Sequence, residues 1–159
     1  MSESEPGEVA GQPLTETVNL VFPEDANPKG TIFGGRILQW VDMVGAMAAQ
    51  RHCRQIVVTA VMDTVVFRAP IYVGEYAVVK AWVNRAWHTS MEVEVRVEAE
   101  APLTGERRLS VEAFVTFVAV DIHDRPTAVP PFIPQTPQET ERYLAAEKRR
   151  AARMAFRQS

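Results

Sequence analysis

Between residues 56 and 121 the chain offers strand-like runs in succession, joined by segments too short to carry a helix. Parallel neighbours need a crossover of about a dozen residues or more, so these strands must meet antiparallel. The runs are residues 56–67, 72–85, 91–99 and 109–121. The first is rich in β-branched residues and stops at Arg68, Ala69 and Pro70. In the third, Met91, Val93, Val95, Val97 and Ala99 alternate with Glu92, Glu94, Arg96, Glu98 and Glu100, the period of a strand with one wet face. The last run is largely apolar on both faces and should be more covered than its neighbour.

The segment before the strands decides what such a sheet encloses. Residues 34–52 contain no proline; Ile37, Val41, Val44 and Ala48 recur at helical spacing, with Leu38, Gly45 and Ala49 on an adjoining stripe. A helix apolar nearly all round must be buried. A short extended segment within residues 14–22 and a turn-like stretch over 23–30 precede it. The reading is an α+β fold, an antiparallel sheet of five to six strands wrapped around one long apolar helix. Beyond the proline-rich residues 126–134, Thr136, Pro137, Gln138 and Glu139 form a capping box with proline at the first helical position, which predicts a C-terminal helix to about residue 156. The expected organisation is a disordered acidic tail over 1–13, a domain over 14–125, and a linker and helix over 126–159 that pack on the domain or oligomer.

Composition sets the remaining bounds. The 159 residues are 47% hydrophobic and 23% charged, the balance of a soluble globular domain with a core of its own. Cys53 is the single cysteine and no basic-then-apolar leader is visible, so a reducing, cytoplasmic compartment is expected. No run approaches the ~18–20 apolar residues of a membrane span. A net charge of -3 argues against a dedicated nucleic-acid binder. The basic stretch over 142–157 reads as a solvated helix face, compatible with a phosphate-bearing small molecule.

Chemistry has one conspicuous carrier, Asp42, an acid in the middle of the apolar helix with no cation three or four places away. An unpaired buried carboxylate costs several kcal/mol and marks a functional site, unless Asp42 faces solvent or pairs with a distant arginine such as Arg68. Gly34 and Gly35 open the same helix, where unpaired N–H groups stabilise negative charge, although two glycines also suit a tight helix entry. Asp42 lies two turns from Gly35, about 10 Å, so one chain would struggle to bring both onto one carbonyl, whereas two antiparallel helices in a dimer could. No GxSxG elbow, zinc spacing or glycine-rich phosphate loop is present. His88 and Ser90 share a strand face ~7 Å apart, too far for direct activation.

The segments NPKGTIFGGRILQWVDMVGAMAA, VVTAVMDTVVFRAPIYVGEY, HTSMEVEVRVEAEAPLTGERR and FVTFVAVD together resemble the hot-dog-fold acyl-CoA thioesterases, specifically the cytosolic acyl-CoA hydrolase class. The resemblance implies a hydrolase of fatty acyl-CoA, with Asp42 activating water or attacking the thioester and Asn27 of the facing subunit positioning the reacting groups. Read without it, Asn27 before Pro28 is a turn residue. The resemblance also implies that backbone amides at Gly34 and Gly35 hold the carbonyl oxygen, and that Thr59, Arg68, Thr89, Ser90, Arg149 and Arg150 contact coenzyme A. No metal or other cofactor is implied, coenzyme A being part of substrate and product. The implied assembly is a homodimer as minimal unit, as a trimer of dimers in a homohexamer, without nucleic acid or membrane partners. Trp87 and His88 stand where many relatives have a glycine and a basic residue. Acyl preference is expected to depend on how Trp40, Met43, Met47 and Trp87 pack, with broad specificity for fatty acyl chains. The alternative is a non-catalytic acyl-CoA sensor, which has no reason to keep Asn27 and Asp42; a hot-dog dehydratase would want a histidine near the helix start, where none of His52, His88 and His123 lies.

Overall fold

The start of the first helix follows from its sequence: Phe33 is extended and the chain enters a helix at Gly34 that runs to Cys53 (α1, Gly34–Cys53). The computed structural model describes residues 14–158. A strand β1 (Thr15–Leu20) and a short 3-10 turn at Pro23–Asp25 precede α1; β2 (Ile56–Phe67), β3 (Tyr76–Ala86), β4 (Ser90–Glu100), β5 (Arg107–Val120) and a closing helix α2 (Pro137–Gln158) follow. The strands form one five-stranded sheet in the order β1-β3-β4-β5-β2, with every pair antiparallel. The strand that follows α1 therefore lies at one edge and β1 at the other. The expected tail over 1–13 lies outside the described residues.

α1 packs on the sheet through Ile37, Val41, Val44, Gly45, Ala48 and Ala49, all buried. Gly45 permits the approach: a Cβ there would meet the Phe117 ring at 3.1 Å and Val95 at 3.4 Å. The opposite side corrects the expectation of a helix buried all round, because Met43 is 55% and Met47 43% exposed. One chain's sheet covers one face of α1 and leaves a methionine stripe open.

Two further expectations change. The second strand begins at Tyr76 rather than residue 72, since Gly74 at φ +90° makes a turn closed by Glu75 N–H donating to Tyr72 O at 3.0 Å. The wet face of β4 is partly dry: Glu92 and Glu94 are buried, Glu92 met by cations of α2 and Glu94 by Arg96 of β4 itself at 3.2 Å. Arg149 donates to Glu92 at 2.6 Å, Arg153 stands 3.8 Å from the same carboxylate, and Asn84 donates to both Glu92 and Glu94. Alternation in sequence shows which side chains share a face, not what later covers it.

α2 is capped by Glu139 N–H donating to Thr136 Oγ1 at 3.1 Å, while the Glu139 carboxylate accepts from Gln135 N–H, one residue earlier than a capping box requires. The proline-rich stretch before it packs onto the fold. His52 meets Pro130 O at 2.8 Å, Gln55 donates to Ala128 O, and Phe132 is buried.

Candidate active site

Asp42 sits two turns into α1, half-buried at the border between the core face and the methionine stripe. Its partner comes from the edge strand: Thr59 Oγ1–H donates to Asp42 Oδ1 at 2.5 Å. β2 breaks register between Thr59 and Val61 and again between Met62 and Thr64, so bulges adjoin the residue that reaches the helix. Bulges bend a strand and re-aim its side chains. Arg68 is not the partner of Asp42; it donates to Glu112 at 2.6 Å. The hydrogen bond to Thr59 occupies one carboxylate oxygen.

The N-terminus of α1 presents its first amides without an acceptor inside the helix, and Phe33 offers no side-chain cap. A Cβ at Gly35 would meet nothing within 4 Å, and one at Gly34 only the Phe67 ring at 3.5 Å. The backbone here is open to close approach, the condition an oxyanion site requires.

Asn27 lies in the loop between the 3-10 turn and α1, where its amide is turned inward. Asn27 Nδ2 donates to Thr31 Oγ1 at 2.8 Å, and Asn27 Oδ1 accepts from Lys29 N–H at 2.9 Å. Within one chain the structure thus joins Asp42 with Thr59 and keeps Asn27 among residues 27–31.

The remaining candidates divide. Thr89 and Ser90 form the β3–β4 turn, Thr89 O accepting from Ala119 N–H and Ser90 O from Trp87 N–H. Arg149, expected at a coenzyme A phosphate, is bound within the chain to buried Glu92 and lies 3.8 Å from the Phe114 ring centroid. Arg150 stacks on Trp87 at 4.7 Å, and the Trp87 indole N–H donates to Glu147 at 2.9 Å. α2 therefore holds Trp87, while Trp40 is buried beside Arg36 and only Met43 and Met47 of the expected acyl-contact group are exposed. An open cavity of about 600 Å³ adjoins that stripe, lined by Met47, Gln50, Arg51, Arg54, Gln55 and Ile56. It sets apolar walls beside two guanidinium groups. Among the described residues no three His, Cys, Asp or Glu side chains gather to hold a metal ion.

Sequence reasoning missed two features. It gave Thr59 to coenzyme A, whereas the hydroxyl engages Asp42 across 17 positions. It also passed over Asp25, whose side chain is only 7% exposed and pairs with Arg36 at 3.0 Å. An acid in a turn two residues before Asn27 was the available signal.

Residues 29–106 match the family described as the thioesterase superfamily. The chain is 40% identical over 129 residues to YkhA of Bacillus subtilis (strain 168), described as an uncharacterized acyl-CoA thioester hydrolase, covering 81% of this chain and 75% of that one. A crystal structure of an apo hexameric acyl-CoA thioesterase superposes with a TM-score of 0.86 at 42% identity, covering 89% of this chain and 91% of the other. An acyl-CoA hydrolase from Staphylococcus aureus, solved with butyryl coenzyme A, coenzyme A and coenzyme A disulfide, gives a TM-score of 0.82 at 33% identity over 91% of each chain.

Proposed function

This chain belongs to the thioesterase superfamily and is a thioester hydrolase; we propose that its substrates are fatty acyl esters of coenzyme A, cut at a site shared between two chains. The observation that carries the reading is the hydrogen bond from Thr59 to Asp42 Oδ1, which fixes the carboxylate and leaves Oδ2 for chemistry. Oδ2 takes a proton from water, the hydroxide adds to the thioester carbonyl, and amides at Gly34 and Gly35 hold the oxyanion. The C–S bond then breaks, the thiolate takes the proton, and free acid and coenzyme A leave. The reaction so written needs no cofactor.

The spacing supports a site built from two chains. Asp42 and Gly35 are separated along α1 by about 10 Å, and Asn27 bonds within its own loop. A facing copy brings Asn27 and the amide pair of one chain to Asp42 of the other, and covers Met43 and Met47. The open edge of β2, with Ile56 and Val58 exposed, suits that pairing. The hexameric relative supports a trimer of such dimers. The cavity beside Met47 offers apolar contact for an acyl chain, and Arg68 and Arg150 remain candidates for coenzyme A phosphates, with Thr89 and Ser90 at the groove. No helix among the described residues is long and apolar enough to cross a membrane. A cytoplasmic enzyme is supported instead by the likeness to the cytosolic acyl coenzyme A thioester hydrolase of Rattus norvegicus, 30% identical over 143 residues.

A thiol-release assay over acyl-CoAs of increasing chain length tests the activity. Thiol release across a range of fatty acyl chains is expected; tight binding with no thiol at any length would establish a sensor instead. The shared site is tested by mixing Asn27→Ala and Asp42→Ala chains. After verified subunit exchange each heterodimer regains at most about half of a wild-type site count, by twofold symmetry. No recovery would place each site within one chain.

A further inference from the structure

We infer that Asp25 is a positioning residue which locks the Asn27 loop and the amide-bearing start of α1 into one rigid unit, delivered together to the Asp42 of a facing chain; this rests on the shared-site reading above. Asp25 lies two residues before Asn27 and makes contacts in three directions. Its Oδ2 accepts from Phe22 N–H at 3.0 Å, closing the turn before the loop. Its Oδ1 accepts from Arg36 Nε at 3.0 Å, tying the loop to the first turn of α1. Its backbone carbonyl accepts from Phe33 N–H at 2.9 Å, at the residue that caps α1. The side chain is 7% exposed, so an ionised carboxylate there must be met by these donors.

The far side of the loop is fixed as well. Asn27 N–H donates to Thr31 O at 2.9 Å, and Ile32 N–H donates to Ile71 O at 2.8 Å. Arg36, whose guanidinium stacks on Trp40 at 5.2 Å and donates to Gln39 at 2.6 Å, is itself held in place. The chain from Asp25 to Arg36 is a loop closed at both ends by one carboxylate. Asn27 and the Gly34 and Gly35 amides lie inside it. Asp42 does not, since its partner Thr59 belongs to β2. Asp25 therefore acts on what its chain lends to the neighbour and leaves its own Asp42 intact.

That asymmetry gives a test that loss of stability alone cannot imitate. Asp25→Asn keeps the shape but weakens the bond to Arg36, and kcat for thiol release should fall roughly tenfold to a hundredfold, the usual cost of misplacing reacting groups by about 1 Å, with KM within about twofold. Mixed with Asp42→Ala chains it should recover towards the half-level, because the Asp42 of the Asp25→Asn chain then faces an intact Asn27 loop. Mixed with Asn27→Ala chains it should recover nothing beyond the residual activity of each. Arg36→Gln cuts the same pair from the exposed end and should fall in the same group, which keeps the test open where Asp25→Asn does not fold. Wild-type kcat in both variants, or recovery to the half-level with Asn27→Ala chains, would overturn the role of Asp25. Failure of Asn27→Ala and Asp42→Ala chains to restore each other would instead overturn the shared site on which it rests.

Discussion

Asp42 has two carboxylate oxygens, and Thr59 takes one of them at 2.5 Å. In the proposed mechanism this hydroxyl orients the carboxylate and the other oxygen meets water. Thr59→Ala should lower kcat about 10–100-fold, the worth of a hydrogen bond to a charged group, and Thr59→Ser should restore most of it; steady-state thiol release on both variants measures this. At this scale the sequence exposes the carboxylate and hides its partner. An acid in an apolar helix is visible from composition, whereas the Thr59 contact depends on α1 packing against a bulged edge strand. Arg149 is illegible for a related reason: its partner Glu92 alternates as a solvent-facing residue would, yet it is buried, paired with Arg149 and Arg153 of α2 and accepting from Asn84.

At the scale of elements, α2 is fastened to the sheet largely by charge and stacking, since of its side chains only Glu139 and Ala146 are buried. Arg149 binds Glu92, Arg153 meets Asp63 at 3.3 Å, and Arg142 stacks on Trp82 at 4.7 Å. Desolvation holds the Arg142 guanidinium below its ordinary pKa, with Glu94 opposing. Arg149→Met should cost about 3 kcal/mol in chemical denaturation by stranding the Glu92 carboxylate, and the double variant Glu92→Gln/Arg149→Met should lose less than the single one. The reverse order would mean the pair is not what fastens the helix. Elements with a clear period were legible: residues 56–67 form β2 as read, and α1 ends one residue beyond expectation. The start of β3 was not, because Gly74 turns the chain within an otherwise strand-like run.

Over the whole molecule, the end of the sheet near the β2–β3 turn is closed by Arg108 of β5, which donates two hydrogen bonds to Glu75 and one to Pro70 O. The hydrogen bond from Arg108 holds the Glu75 carboxyl below the usual carboxylate range against the opposing effect of burial. A lowered folded value means this stabilisation is complete above the unfolded pKa and lost as pH falls through the folded one. Glu75→Gln should therefore melt about 2–4 °C below the wild type at neutral pH, the equivalent of about 1 kcal/mol, and the gap should close under acid conditions; thermal melts across pH measure it. The antiparallel sheet was legible because short connections leave no other choice, but the open side of α1 was not, since an all-round apolar pattern does not say whether a second chain provides part of the cover. The central claim, that Asp42 drives thioester hydrolysis, is tested most directly by kcat for thiol release in Asp42→Asn, measured on protein whose melting temperature matches the wild type. The account predicts a fall of about 10² to 10⁴; an unchanged kcat would contradict it.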